Sequence, residues 1–274
     1  MIGGGTFTDV VAIGPGRNVV TLKLPSNDPE SPELSELTAI RSILGLDSAS
    51  EIPEGCFEEV RIGTTVGTNA LLERKGGPVA LLTTRGFGDA FQIGYQNRPS
   101  LFEKAIRLPK ALYTHALEVS ERTAASGEPL IPLDVEAVRT LLRALKAKGS
   151  SSLAVVLMHS WRAPENEKVL AKLAKELGFE HVTASHETAP VGKLIVRGET
   201  ALLEAYLAPV LKRYTERLEG ELGSAALYWM QSSGGLARQG AFQAKDSVLS
   251  GPAAGLVGAA ALAKAAGYER IITF

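Results

Sequence analysis

The sequence predicts an α/β fold, a mixed sheet with crossover helices, on three observations. Short apolar segments rich in β-branched residues alternate with longer segments whose apolar residues recur at helical spacing. Glycine-containing turns separate the two kinds of segment. Strands that alternate with helices need crossover connections, and these place helices against the faces of a sheet.

The N-terminal part predicts three strands followed by a helix. A short strand and a glycine-rich turn at the start precede an apolar strand at 10–13, a Gly-Pro-Gly turn at 14–16 and an alternating strand at 19–24. Together these segments predict a β-meander. Leucine and isoleucine then recur at helical spacing from Pro32 to Leu44, and Gly45 is expected to end that helix.

The next part predicts a strand, a short helix and a second strand before the pattern weakens. We expect strands at 59–62 and 79–83, with a helix at 70–74 that Gly76 and Gly77 end. From Asp89 to about Leu130 the periodicity is lost. We therefore expect an irregular insertion at 89–130 that contributes to specificity.

Helical and strand patterns return after that insertion. Asp134 is the expected N-cap of a helix that Gly149 ends. The remaining expected elements are a strand at 153–158, a helix from Pro164 to Gly178, a long amphipathic helix at 202–218 with a kink at Pro209, strands at 226–230 and 270–274, and a small-residue helix at 252–266. The chain organisation expected from this reading is 1–88, 89–130 and 131–274.

The amino-acid composition limits the functional classes to which the chain can belong. At roughly 150 residues per domain, 274 residues suggest about two domains, and 45% hydrophobic with 22% charged residues is ordinary globular usage. The net charge of -1 argues against nucleic acid or a membrane surface as a partner. The single cysteine, Cys56, and the lack of a recognisable leader predict a cytoplasmic protein. The histidines lack the spacing of a zinc site.

The first candidate site is the glycine-rich turn at 3–9. Gly4 and Gly5 would let backbone N–H groups approach phosphate oxygens, and the hydroxyls of Thr6 and Thr8 would add donors. Asp9 could hold a magnesium water or cap the turn. An ordinary tight turn is the alternative.

The second candidate site is the strand-to-helix junction at 63–69. Thr64, Thr65, Gly67, Thr68 and Asn69 combine hydroxyl, amide and glycine residues where a helix begins, which is typical of an anion site. Helix capping is the alternative, although three threonines and an asparagine exceed what one cap requires.

Two further motifs follow strands near the C-terminus of the sequence. One is Met-Gln-Ser-Ser-Gly-Gly at 230–235, and the other is the stretch that begins Leu-Ser-Gly-Pro at 249–259. Ligands in open α/β sheets bind at strand ends, which makes both motifs candidates. For the helix of the second motif, we favour close packing of its glycines and alanines over a direct chemical role.

These motifs resemble the hydantoinase/oxoprolinase family over essentially the whole chain. The stretches that carry the resemblance are 4–9 (Gly-Gly-Thr-Phe-Thr-Asp), 63–76, 83–89, 96–99 (Gln-Asn-Arg-Pro), 118–122, 157–161 (Leu-Met-His-Ser-Trp), 230–235 and 249–255, in that order. The resemblance implies a fold like the first lobe of the actin, sugar kinase and heat-shock ATPase superfamily, which is ribonuclease H-like. It also implies ATP and Mg²⁺ as cofactors.

The implied chemistry is ATP-dependent phosphorylation of a cyclic amide or ketone oxygen, followed by hydrolysis or carboxylation. By this resemblance residues 4–9 form the first phosphate loop and 252–266 the first connecting helix. The residues implied to bind the cofactor are Gly4, Gly5, Thr6, Thr8, Asp9, Gly67, Thr68, Gly234 and Gly235, with Asp9 also contacting the metal. The residues implied on the reacting side are Thr64, Thr65 and Asn69, with Arg74 as a charge partner.

Two departures from the family pattern shape the expectation. Ile2 stands where the family has an aspartate before the Gly-Gly pair, and the sequence ends where a second phosphate loop is expected. We therefore expect the N-terminal lobe of an ATP-dependent cyclic-amide hydrolase that needs a C-terminal lobe or a second family subunit, and we expect an oligomer. The alternatives are a non-catalytic lobe or subunit of a ketone carboxylase complex, and a small-molecule kinase.

Overall fold

The computed structural model describes residues 1–26, 34–48, 50–96, 100, 102–106 and 108–273. The strands are β1 (Ile2–Gly3), β2 (Phe7–Ile13), β3 (Val19–Pro25), β4 (Glu59–Thr64), β5 (Val79–Thr84), β6 (Tyr113–Val119), β7 (Arg122–Thr123), β8 (Pro129–Ile131), β9 (Ser152–Val156), β10 (His181–Ala184), β11 (Ala226–Met230) and β12 (Leu236–Arg238). The helices are α1 (Ser35–Leu44), α2 (Val66–Leu72), α3 (Ala90–Ile93), α4 (Val135–Ala147), α5 (Glu165–Glu176), α6 (Ser185–Thr188), α7 (Leu194–Leu222) and α8 (Ser250–Ala265), with 3₁₀ turns at Gln239–Ala241 and Ala244–Ser247.

The chain forms two compact units. Unit 1 comprises Met1–Lys75 and Val210–Phe274, and unit 2 comprises Gly76–Pro209. These units do not coincide with the segments 1–88, 89–130 and 131–274 expected from the sequence. The reason is a long-range pairing, because β11 pairs with β4 and joins a late part of the chain to an early one.

Unit 1 is built on a mixed six-stranded sheet in the order β12-β11-β4-β1-β2-β3. The predicted meander is confirmed, since β1, β2 and β3 pair antiparallel in sequence. β1 and β11 instead pair parallel with β4, so all three strands end at the same edge of the sheet. Leu37 and Ile40 of α1, Ile62 of β4, Leu218 of α7 and Trp229 of β11 are buried in this unit.

Unit 2 is built on a parallel four-stranded sheet in the order β10-β9-β5-β6. Every residue of β5 and β9 is buried, as expected for central strands of a parallel sheet covered on both faces. The predicted N-cap is confirmed, because the Asp134 carboxylate accepts a hydrogen bond from the Ala137 amide at 3.0 Å. The core of the unit contains Ala80, Leu82, Val119, Val138, Leu142, Leu145, Leu153, Val155, Leu157, Leu170, Leu173, Ala174 and Phe179.

The structure changes several details of the predicted elements. The segment 113–131 contains β6, which pairs with β5 from Tyr113 to Val119 with one register shift near its start, rather than irregular chain. Residues 270–273 form no strand, and Phe274 lies outside the described residues. Ile272 is 93% exposed. A strand requires a neighbour to pair with, and none of the described strands lies against this segment.

The C-terminal helix differs from its prediction in packing rather than in position. α8 forms at 250–265, as its small residues predicted. However, a Cβ added to Gly255 or Gly258 would meet no described atom within 4 Å, so the close packing expected for these glycines does not occur among the described residues. Among those residues, no helix combines the length and apolar character needed to cross a membrane.

Candidate functional site

The candidate site lies in unit 1, where three parallel strands end at one edge of the sheet. β1 leads into the turn at 4–6, β4 leads into α2, and β11 leads into the turn at 231–235. The carboxyl edge of parallel strands is where α/β proteins bind ligands. Three of the predicted motifs therefore meet at the edge that favours a binding site.

The turn at 4–6 requires glycine at position 4. The Gly4 amide donates a hydrogen bond to the Phe7 carbonyl at 2.9 Å, and a Cβ on Gly4 would lie 2.7 Å from the same oxygen. Gly5 and Thr6 are exposed, and a Cβ on Gly5 would lie 3.5 Å from Asn69 Nδ2. The turn thus presents main chain without bulky side chains next to the first turns of α2.

Strand β1, which precedes this turn, packs against the buried carboxylate of Glu36. A Cβ on Gly3 would lie 2.6 Å from Glu36 Oε1, so only glycine leaves room for that side chain. The Tyr214 hydroxyl donates to Glu36 Oε1 at 2.7 Å. Burial, together with the charge of Glu36, raises the pKa of Tyr214 well above its ordinary value. The tyrosine therefore stays protonated and keeps the carboxylate in place.

Thr8 and Asp9, both predicted to contact the cofactor, point to opposite faces of β2. Thr8 is fully buried, and its hydroxyl lies 2.7 Å from the Ser35 hydroxyl and 2.9 Å from the Ser26 hydroxyl. Asp9 is exposed and pairs with Lys23 Nζ at 3.1 Å. Thr8 therefore anchors α1 to the sheet, whereas the Asp9 carboxylate faces solvent.

The residues of the second motif divide into two groups. The Thr64 hydroxyl accepts from the Val66 amide at 3.2 Å, and the Thr68 hydroxyl accepts from the Leu249 amide at 3.1 Å. Asn69 Nδ2 instead donates to the Thr65 hydroxyl at 3.2 Å. The Thr64 hydroxyl therefore serves to cap the start of α2, and the Thr68 hydroxyl holds the residue that precedes α8. The half-buried pair Thr65 and Asn69 lies beside the Gly5 turn.

The start of α8 packs against this junction. The buried Ser250 hydroxyl donates to the Thr64 carbonyl at 3.1 Å. Leu249 has a left-handed backbone with φ of 61°, which is strained for a leucine. A Cβ on Gly67 would lie 2.1 Å from the Ser247 hydroxyl oxygen. The 249–255 motif named from the sequence includes Ser250, but neither its contact with Thr64 nor the place of Ser247 beside Gly67 was predicted, because both contacts join residues about 180 positions apart.

The turn after β11 completes the set. Gly234 has φ of +82°, and a Cβ there would lie 3.0 Å from Val257 Cγ2 of α8. The Ser232 amide donates to the Asp246 carbonyl at 2.7 Å. The Ser233 hydroxyl accepts from the Gly235 amide at 3.3 Å. Gly234 therefore serves the turn and its contact with α8, and the turn lies at the same sheet edge as the Gly5 turn.

Arg74 is the predicted site residue that the structure leaves apart. It follows the last turn of α2, is exposed, and has a left-handed φ of 56°. α2 has seven residues, so at 1.5 Å of rise per residue it is about 10 Å long, and Arg74 lies beyond its far end whereas Thr65 precedes its start. The structure thus brings Thr64, Thr65 and Thr68 to the edge where the two turns lie, but neither Thr8 nor this charge partner.

The side chains available as ligands limit the kind of metal site that this part of the chain could form. Among the described residues, no group of three or more His, Cys, Asp or Glu could hold a metal. Mg²⁺ bound with a nucleotide usually takes one or two carboxylates, with phosphate oxygens and waters completing its shell. Asp9 offers one exposed carboxylate, which fits a Mg²⁺ site completed by phosphate oxygens and waters and does not fit a site made of protein ligands alone.

Comparison with known proteins identifies relatives along the whole chain. Residues 3–178 match the family profile described as "Hydantoinase/oxoprolinase N-terminal region", and residues 197–274 match the profile "Hydantoinase/oxoprolinase". The 5-oxoprolinase 1 of Arabidopsis thaliana is 42% identical over 285 residues, which cover 93% of this chain and 22% of that protein.

Solved structures share the fold. The ATP-dependent caprolactamase from Pseudomonas jessenii matches with a TM-score of 0.80 and 29% identity, over 96% of this chain and 40% of that chain. A nucleotide-free acetone carboxylase matches with a TM-score of 0.78 and 24% identity, over 98% of this chain and 40% of that chain, which shows the fold alone. The present chain therefore spans less than half of each of these proteins.

Proposed function

Because the chain belongs to the hydantoinase/oxoprolinase family, we propose that it is the N-terminal lobe of an ATP-dependent enzyme that opens a cyclic amide. The observation that carries the proposal is the convergence of the turns at 4–6 and 231–235 with Thr65 and Asn69 at one sheet edge. The relatives named 5-oxoprolinase and ATP-dependent caprolactamase support ATP use and a cyclic-amide substrate.

In this proposal the chain supplies a phosphate-binding surface. Gly4 allows the tight turn, in which its N–H is donated to Phe7, and Gly5 leaves the main chain open, so phosphate oxygens can approach the N–H groups of Gly5 and Thr6. Thr65 and Asn69 lie beside Gly5 and present a hydroxyl and an amide to the same place. These residues would orient the phosphates, and Asp9 would contact Mg²⁺ or one of its waters. Bound ATP would supply the phosphoryl group that makes the ring carbonyl carbon electrophilic.

The proposal also includes a partner for α8. Leu256, Val257 and Leu262 of this helix are 56%, 47% and 74% exposed. A helix that is apolar on most of its faces is usually buried against another part of a protein. We propose that the C-terminal lobe of a longer protein, or a second family subunit, covers it. The cytoplasm remains the proposed location on the basis of cysteine usage, since the one cysteine, Cys56, is free and exposed.

The test of the phosphate surface is a titration of this chain with Mg-ATP followed by amide NMR. We expect shifts at Gly5, Thr6, Thr65 and Gly234. A hydrogen bond to a charged group contributes about 1.5–3 kcal/mol, so Thr65→Ala should weaken binding about 10- to 100-fold.

The matched control is Thr21→Ala, which removes an exposed threonine from β3 of the same unit. It should leave the affinity for Mg-ATP unchanged. Shifts confined to other residues, or equal effects of Thr65→Ala and Thr21→Ala, would refute the assigned surface. In a complete protein, Thr65→Ala and Asn69→Ala should also lower ATP-dependent ring opening.

A further inference from the structure

Strand β3 forms one end of the unit 1 sheet, and no described strand lies on its outer side. The order of the sheet is β12-β11-β4-β1-β2-β3, so among the described strands β3 pairs with β2 alone. That pairing is antiparallel and runs without a register shift from Phe7 opposite Pro25 to Ile13 opposite Val19. A long and regular edge strand offers a row of main-chain N–H and C=O groups to another strand.

The main-chain groups of every second residue of β3 point away from β2. The Gly14 amide donates to the Asn18 carbonyl at 2.9 Å, and the Ser26 amide donates to the Thr6 carbonyl at 2.9 Å. Because hydrogen-bonded and non-hydrogen-bonded pairs alternate along an antiparallel ladder, these two bonds show that the even-numbered residues of β3 are the ones bonded to β2. The residues of β3 whose N–H and C=O groups both face outward are therefore Val19, Thr21 and Lys23.

Two features limit the stretch that another strand can use. Pro25 is the next outward-facing residue, and it has no N–H to donate. At the other end, Arg17 has a left-handed φ of 59°, and its amide donates to the Gly14 carbonyl at 2.9 Å within the turn. The stretch open to pairing thus runs from Val19 to Lys23, and its centre is Thr21.

The lysine of this edge does not block it. A lysine on an edge strand commonly prevents another strand from pairing there. The Lys23 ammonium instead lies 3.1 Å from the Asp9 carboxylate and 5.3 Å from the centre of the Phe7 ring, and both of these residues belong to β2. The charge of Lys23 is therefore balanced within the sheet, and its side chain is directed towards β2 rather than across the edge.

Apolar side chains at this edge are exposed. Val19 and Val20 are 61% and 43% exposed, and Ile13, which lies opposite Val19 on β2, is 73% exposed. Val20 and the half-buried Leu22 lie on the same face of the sheet, because side chains alternate along a strand. A second strand beside β3 would remove part of this apolar surface from water, which is favourable.

We propose that two copies of this chain associate through β3, antiparallel about a two-fold axis at Thr21, so that their unit 1 sheets continue as one sheet. In this register Thr21 pairs with the partner's Thr21, and Val19 pairs with the partner's Lys23. Each outward N–H and C=O from 19 to 23 then has a partner, which gives about six hydrogen bonds. Val20 lies opposite the partner's Leu22 in a non-hydrogen-bonded pair, where side chains approach most closely.

The edge is complementary to itself, which is the reason for assigning a second copy as its partner. A register centred on Lys23 would place two lysines opposite one another, which is unfavourable. A register centred on Leu22 would place Val19 opposite Pro25, which cannot donate. The register centred on Thr21 keeps the two lysines about 14 Å apart along the strands, at 3.4 Å per residue. An oligomer is expected from the sequence, and this edge is a surface that can form one.

The first test is a symmetric cross-link. Cys56 is exposed, so it is replaced by serine in all cross-linking variants. Thr21→Cys then places two thiols across the axis, where the Cα atoms of a hydrogen-bonded pair lie about 5.5 Å apart, within the range that a disulfide bridges. On mild oxidation we expect a covalent dimer.

The matched control for the cross-link is Val11→Cys. Val11 is exposed and lies opposite Thr21 on β2. In the proposed dimer the two copies of position 11 are three strand spacings apart, which is about 14 Å. Thr21→Cys should therefore form the covalent dimer at least about tenfold faster than Val11→Cys, because Cα atoms more than about 7 Å apart cannot be bridged.

The second test is sedimentation equilibrium of the 274-residue chain. The paired stretch spans only about 17 Å, so we expect a weak dimer, and concentrations from about 10 μM to 1 mM should be covered. Thr21→Pro removes an N–H that faces outward, so β3 stays paired with β2, and the dimer should weaken at least about tenfold. Thr21→Ala keeps that N–H and should leave the dimer almost unchanged.

Three results would overturn the proposal. One is a chain that stays monomeric up to about 1 mM, and another is equal cross-linking of Thr21→Cys and Val11→Cys. The third is a dimer that Leu256→Lys abolishes and Thr21→Pro leaves intact, because the copies would then associate through the exposed face of α8. The cross-linking comparison does not depend on the proline variant. The proposal is also independent of the phosphate surface, so Thr65→Ala should leave dimerisation unchanged.

Discussion

Gly67→Ala is expected to destabilise unit 1 through one contact. An added Cβ would lie 2.1 Å from Ser247 Oγ, 3.3 Å from Ser247 Cβ and 3.4 Å from Leu211 Cδ2. The Ser247 side chain is fully buried, and its hydroxyl donates to the Ala244 carbonyl at 2.6 Å. The oxygen must therefore move by about 1 Å to reach ordinary contact distance, and that movement breaks its hydrogen bond.

The expected change in the free energy of unfolding is the sum of two unfavourable contributions and one favourable one. Overpacking a buried site costs about 1–3 kcal/mol, and leaving a buried carbonyl without a donor costs a similar amount, about 1–3 kcal/mol. Alanine gains up to about 1 kcal/mol over glycine in a helix interior, and less in the first turn. We expect Gly67→Ala to lower the free energy of unfolding of unit 1 by about 1–5 kcal/mol in total.

The assay is urea unfolding followed by the fluorescence of buried Trp229 in a Trp161→Phe background, since the chain has two tryptophans and these lie in different units. Ser247→Ala should relieve the clash, so the double variant should lose less stability than the sum of the single variants, by about 1–2 kcal/mol. Gly258→Ala is the matched control, since an added Cβ there meets no described atom within 4 Å. Additive effects, or equal stabilities of Gly67→Ala and Gly258→Ala, would refute the steric argument.

Two further predictions concern unit 2. Asp134→Ala removes the side chain that accepts a hydrogen bond from the Ala137 amide, so it should lower the free energy of unfolding by about 1 kcal/mol. Hydrogen exchange in the first turn of α4 should become faster. Asp134→Asn should largely retain the original stability. Because the folded pKa of Glu167 is lowered, its ionised form stabilises unit 2 above the ordinary carboxyl pKa, and this stabilisation is lost as pH falls through the folded value. Glu167→Gln should destabilise β9 at neutral pH by roughly 3–5 kcal/mol, and the stability of unit 2 should then depend less on pH in the acid range. If the pH profile of β9 hydrogen exchange were unchanged, Glu167 would not be the carboxylate responsible.

Much of the local structure could be predicted because it depends on near neighbours. Asp134 as N-cap, Gly45 in the left-handed conformation after α1 and the buried apolar run of β5 all follow from residues within one or two turns of chain. The family resemblance is confirmed by both profile matches. The predicted α/β fold with crossover helices, of the kind found in the actin, sugar kinase and heat-shock ATPase superfamily, is also confirmed.

The failures lie where a partner distant in sequence decides the outcome. α2 begins at Val66 rather than at 70, because the Thr64 hydroxyl meets the Val66 amide and α8 packs on the same junction. The segment 113–119 reads as irregular chain, yet it is a strand because the fully buried β5 lies beside it. Thr8 was expected near phosphate, and the structure shows its hydroxyl occupied by serines of another element.

By itself the sequence determined the family, the long helices α4, α5 and α7, the central strands β5 and β9, and the glycine turns that follow β1 and β11. Only the tertiary structure decided that these turns share an edge with Thr65 and Asn69, that Arg74 lies apart, and that Glu167 orients His186. Helical period and turn chemistry are local properties, which a short window of residues determines. Strand pairing and burial of a carboxylate depend on the packing of segments far apart in the chain, and no local pattern records that packing.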